Sequence, residues 1–166
     1  MRYVILIIVL ACIAYLAVLF LAFVLPSEYE KTETRSFNVP VTVAYDFITN
    51  VENYPEHRDE YSAIQELSRS NERLVEWQAF MVDGKLAVYR VNEYIPNTHF
   101  SYQLLKSSNE MTGNWNFFFV GDSTTCTIEI TEQSRMYNRI EKVYWYFFER
   151  NSRIDREFEL IEGLED

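Results

Sequence analysis

Cysteine and histidine are nearly missing, with two of each in 166 residues. Two cysteines cannot build a disulfide framework, and no pair of thiols and imidazoles stands at zinc spacing. Glycine is as scarce. None of the four glycines belongs to a phosphate-cradling loop, and no Gly-x-Ser-x-Gly elbow is present. No metal, cofactor or catalytic triad is expected. Basic residues are outnumbered 15 to 25 by acidic ones. Such a surface repels phosphodiester backbones, so no nucleic-acid partner is expected.

Charge is also missing from one long stretch. From Tyr3 to Leu25 no residue is charged, and sixteen of the 23 are Leu, Ile, Val or Phe. As a helix it would reach ~34 Å, enough to cross a hydrocarbon core of ~30 Å. Its apolar side chains favour insertion by on the order of 5–10 kcal/mol in sum. A cleaved secretory signal has a shorter apolar core and ends in small residues. Here the run ends Ala22-Phe23-Val24-Leu25-Pro26, so an uncleaved single-pass anchor over residues 1–25 is expected. Arg2 is the only charged side chain before it, and Glu28 and Glu30 follow. The positive-inside bias then places the N-terminus in the cytoplasm and residues 26–166 outside it. That part carries 14 basic and 25 acidic side chains, a net of −11.

Residues 26–32 read as a polar linker, 33–162 as one domain and 163–166 as a tail. Thr34 to Val39 alternates as a first strand and stops at Pro40. Val41–Asn50 follows as a helix with Val43, Phe47 and Ile48 on one side, and Asn53–His57 as a second helical turn. Six stretches then show β character: Tyr61–Leu67, Leu74–Val82, Leu86–Ile95, Phe100–Leu105, Met111–Val120 and Thr124–Thr131. Turn signals such as Asp83-Gly84, Pro96-Asn97 and Gly121-Asp122 separate them. Period two puts Val75, Trp77, Ala79 and Met81 on the same face as Phe100, Tyr102 and Leu104. Trp115, Phe117, Phe119, Cys126, Ile128 and Ile130 join them. Leu86–Ile95 fits neither parity cleanly. From Met136 the period becomes 3.6: Ile140, Val143, Phe147, Asn151, Ile154, Phe158 and Ile161 mark one face of a helix over 136–162, widened by Tyr137, Tyr144 and Phe148. The expected class is α+β, a seven-stranded antiparallel sheet wrapped around the long C-terminal helix.

Two stretches carry a family resemblance. NVPVTVAYDFITNVENYPEH (38–57) resembles the opening of the polyketide cyclase/dehydrase and lipid-transport superfamily, with its strand ending at proline, its helix and its Tyr-Pro corner. GNWNFFFVGDSTTCTIEI (113–130) resembles the superfamily's last two strands. With the final helix the similarity spans about residues 33–162 and implies a START-like helix-grip domain. Asn50, His57 and Ser123 depart from the usual residues at corners beside the cavity mouth, so the resemblance speaks to fold rather than ligand. It implies an apolar cavity between sheet and helix for a lipid, quinone or polyketide-like molecule, with binding more usual than catalysis.

The expected ligand contacts are Trp77, Tyr89, Tyr102, Trp115, Phe117, Phe119, Tyr144 and Phe148, an apolar lining of the kind small-molecule sites use. No catalytic residue is expected. His57 reads as a corner residue and His99 as a surface residue, for want of a proton-transfer partner. Asp59 and Glu60 read as solvated acids. Arg90 would matter only if its strand turned it into the cavity. Trp145 and Tyr146, off the apolar face of the helix, read as contacts for a membrane interface or an integral-membrane partner. Two other readings stay open: an accessory subunit of a membrane complex and, less favoured, a cyclase or dehydratase.

Overall fold

The computed structural model describes residues 2–71, 73–149 and 152–165. A 23-residue helix, α1 (Arg2–Val24), comes first and is long and apolar enough to cross a membrane. Strand β1 (Glu28–Phe37) follows, then α2 (Val41–Thr49), a 3-10 turn and the one-turn α3 (Tyr54–His57). Six strands come next: β2 (Tyr61–Ser70), β3 (Arg73–Met81), β4 (Leu86–Ile95), β5 (His99–Ser107), β6 (Met111–Gly121) and β7 (Cys126–Met136). All pairings are antiparallel, in the order β1-β7-β6-β5-β4-β3-β2. The first strand thus sits beside the last, and the sheet has the seven strands and α+β class that the patterning predicts.

The expected linker is mostly strand. Ladder pairing runs from Glu28↔Arg135 to Phe37↔Cys126, and Met136 N–H donates to Ser27 O at 2.9 Å. Apolar alternation misses this strand because its covered side chains are largely ionic: Arg35 meets Asp155 at 2.7 Å and Glu162 at 3.4 Å on the last helix. In α2 the inward residues are Ala44, Tyr45 and Ile48, while Val43 is exposed. The hairpin turns fall where expected, with Gly84 at φ 82° and Asn97 at φ 57°, conformations that Gly and Asn accept at least cost.

The C-terminal helix is not one continuous α-helix. Met136 ends β7, and Asn138 caps α4 (Arg139–Tyr144) by accepting from the Ile140 and Glu141 N–H groups. A π-helical turn occupies Trp145–Glu149, and α5 covers Ser152–Glu162. Asn151, placed on the apolar stripe by its spacing, lies outside the described residues. The wide turn advances the register, so the stripe inferred at period 3.6 fails upstream of it. Trp145 is 2% exposed and Tyr146 half-buried against the core, whereas Ile140, Tyr144, Phe147 and Phe148 are exposed. The exposed pair expected at Trp145 and Tyr146 is therefore corrected, and the exposed aromatics are their neighbours. Beyond the π turn the expected stripe holds: Ile154, Phe158 and Ile161 are buried on the sheet, with Phe158 and Phe37 rings 5.8 Å apart.

Candidate functional site

Between the inner face of the sheet and the α4–α5 segment lies a cavity of about 740 Å³. Its size falls within the range of small-molecule sites. It occupies one end of the sheet, where β3 meets β4 and β5 meets β6. The opposite end is filled by packed side chains of α2 and α5.

Four of the eight expected contacts line it: Tyr89, Tyr102, Trp115 and Tyr144. Strand β4 is resolved by its parity: Ala87 and Tyr89 face in, and Arg90 faces out to Glu76 at 3.0 Å. The rings form one stack across the sheet, with Tyr102 and Trp115 5.4 Å apart and nearly parallel and Tyr89 edge-on to Tyr102 at 5.7 Å. Gly113 makes room for this. A Cβ there would come within 3.0 Å of the Trp115 ring and 2.8 Å of Gln133 O, so the indole lies flat over a bare backbone.

The other four stand elsewhere. Trp77, Phe117 and Phe119 are buried among neighbouring side chains and form the layer behind the cavity wall or beyond its closed end. Phe148 is 69% exposed and touches Tyr144 outside the cavity, because the π turn rotates it off the inner face.

The lining is not wholly apolar. Tyr61, Tyr89 and Tyr102 hydroxyls are held above the ordinary value of 10.0, chiefly by burial. They remain neutral phenols at physiological pH, able to donate hydrogen bonds but unfit as bases. Arg153 borders the cavity 6.0 Å from the Trp115 ring, and its Nη1 stands 3.4 Å from Glu132 Oε1. Glu132 is fully buried; Ser134 Oγ donates to its Oε1 at 2.5 Å, and its Oε2 has no partner among the described residues. Burial raises the Glu132 carboxyl above its ordinary range, against the opposing pull of Arg153 and Ser134. Arg58, buried under the Tyr54 ring at 3.9 Å, pairs with Glu157 of the cavity wall.

Patterning missed these groups, though one signal was available. Carrying the β7 alternation past Ile130 puts Glu132, Ser134 and Met136 on the inner face, and all three are buried. Arg58 and Arg153 have no such signature, since their burial depends on where α3 and α5 cross the sheet. His99 is corrected too: it is buried, stacked 4.2 Å from Phe118 on the outer face, with Nδ1 3.0 Å from Glu93. His57 lies exposed against Phe47, and Asp59 and Glu60 are exposed, Glu60 at the cavity edge. A second, shallower depression of about 670 Å³ lies mainly over outward-facing polar residues of β1, β5, β6 and β7. No group of three or more potential metal ligands occurs among the described residues.

No family model and no curated protein sequence matches the chain. Solved structures do. A START superfamily protein from Mycobacterium smegmatis superposes with a TM-score of 0.66 at 12% identity, covering 81% of this chain and 94% of its own. Norcoclaurine synthase from Thalictrum flavum gives 0.63 at 7% identity over 82% and 86%. The Zhui aromatase/cyclase from Streptomyces sp. R1128 gives 0.57 at 12% identity over 82% and 90%. These identities speak to architecture and not to activity. The seven-stranded sheet closed over a C-terminal helix is the START-like helix-grip fold.

Proposed function

We propose that this chain is a membrane-tethered binding module for an apolar small molecule, a lipid, quinone or polyketide-like compound held between sheet and C-terminal helix. The observation that carries the reading is the cavity of about 740 Å³, walled by Tyr89, Tyr102 and Trp115 where a core would normally close to crystal-like density. Neutral phenols and Arg153 at its wall suit a ligand with an apolar body and one polar end. Similarity in fold to START proteins and to a cyclase agrees with binding of an apolar substrate class. Catalysis as a cyclase or dehydratase is the second reading, in which the neutral wall phenols would serve as hydrogen-bond or proton donors but not as bases. Helix α1 supplies the tether, with Arg2 on the cytoplasmic side.

Native mass spectrometry after gentle detergent extraction tests the reading. The wild-type chain should release a bound apolar molecule, and Trp115→Arg, which puts a charge against that body, should carry none. Chain that is always empty and elutes in one defined complex would replace this reading with that of an accessory subunit.

A further inference from the structure

The cavity mouth and the end of α1 lie at the same end of the domain. Lys142 is 5% exposed, and its Nζ donates to Leu25 O at 2.9 Å and to Ser27 Oγ at 3.3 Å. A cation on the last carbonyls of a helix satisfies acceptors that the helix itself leaves open and complements its dipole. Ser27 is pinned in turn to Met136 through its backbone. Only Pro26 stands between the two fastened residues, and proline fixes its own φ. Helix α1 also packs on α4, with Ala22 buried in the contact region. The direction of α1 relative to the sheet is therefore set, with no free tether.

Around the mouth large apolar side chains stand uncovered among charged ones such as Glu60, Asp83, Lys85 and Glu141. Val82 and Leu86 flank the β3–β4 turn, and Ile140 and Tyr144 line the mouth from α4. Phe147 and Phe148 extend the same surface along the π turn. Exposures run from 41% at Leu86 to 69% at Phe148. Large apolar side chains grouped this way are unfavourable in water and mark a contact surface. Aromatic residues beside the end of a spanning helix suit the interfacial belt of a bilayer.

We infer that this rim is seated in the bilayer interface, so that the cavity opens onto lipid rather than water and its ligand enters sideways from the acyl phase. The inference rests on the reading of α1 as the tether and of the cavity as a ligand site. The occupant is the lipid surface, because Ile140 and Tyr144 stand on α4, which packs on the end of the apolar helix α1 and is fastened there by Lys142. With a net −11 outside α1 and its flank, a zwitterionic surface is favoured over an anionic one.

The test reconstitutes the full chain, one copy per nanodisc of phosphatidylcholine, in a Cys12→Ala background that leaves only the buried Cys126. Spin labels are placed at Leu86→Cys, Phe148→Cys and, at the far end of the sheet, Val120→Cys. All three positions are exposed, so folding is not at stake. At 86 and 148 relaxation by oxygen, which partitions into lipid, should exceed relaxation by a water-soluble nickel chelate several-fold, and the ratio should invert at 120. Labels at 86 and 148 as wet as the label at 120 would overturn the inference while leaving the tether intact. Shielding from both reagents would also overturn it, because the rim would then be covered by the chain itself rather than by lipid. Chain that fails to enter the discs would overturn the tether reading and the inference together.

Discussion

At one end of the sheet Phe37, Phe100, Phe117 and Ile128 are at most 3% exposed, and the Phe37 ring meets Phe158 of α5 at 5.8 Å. At the other end Tyr89, Tyr102 and Trp115 of the same sheet face a cavity of about 740 Å³. The strands are the same; the cover differs. An α-helix delivers a side chain to the sheet every three or four residues, and α5 does so. The π turn delivers Trp145 and turns Phe147 and Phe148 outward, while Tyr144 of α4 stands at the mouth, so the volume behind it stays open. Atoms bordering open space lack dispersion partners on that side. The closed end must therefore supply most of the packing stability, and the open end is released for a ligand.

The sharpest break of this contrast is at Phe158. Truncation to alanine removes a fully buried ring and should cost about 3–5 kcal/mol, read as a lowered denaturation midpoint of the detergent-solubilised chain. Ala79 and Ala87 allow a finer comparison, because they are direct cross-strand partners on the inner face and only Ala87 borders the cavity. Ala79→Leu should cost about 1–3 kcal/mol by overpacking, whereas Ala87→Leu should be tolerated within about 0.5 kcal/mol and weaken ligand retention. Equal costs at the two sites would mean that the cavity wall at Ala87 is packed as tightly as the neighbouring core at Ala79. The smallest effect concerns Glu132. Its carboxyl is raised by burial above the ordinary 4.5, so the folded state holds a proton that the unfolded chain has released. The stability this contributes is present below about 4.5 and is lost as pH rises through the raised value. Glu132→Gln should remove that downward slope, seen in urea midpoints taken from mildly acidic to neutral pH.

Strands β3 and β5 to β7 were readable because each repeats a period of two against a buried face, while β2 and β4 were read from β-branched and aromatic content between turns such as Asp83-Gly84. β1 was read late because Glu30, Thr32, Thr34 and Ser36 alternate with other polar residues, and its pairing with β7 is a backbone matter that side chains do not announce. Two aromatic wall residues, Tyr102 and Trp115, were legible from parity, and Tyr89 was named although its strand fitted neither parity. Tyr144 was also named, though on a helix face that the π turn displaced. The void was expected from the family resemblance alone and not from the residue pattern, because it depends on one turn of helix widening by a residue. The Lys142 fastening was not legible, since its amine meets carbonyl and hydroxyl groups 115 or more positions away in the chain.

Placing β1 beside β7 also has a consequence for synthesis. Thr32 and Thr131 touch across the ladder although 99 positions separate them. At ribosomal speeds of about 5–20 residues per second, the first strand waits roughly 5–20 s before its partner exists. An unpaired strand edge invites association with other chains during that interval. The sequence EYEKTETRSF is poorly suited to such encounters, since charges of both signs line it. The polarity that hides this strand from a hydrophobicity reading thus keeps it soluble and unpaired until the last strand emerges.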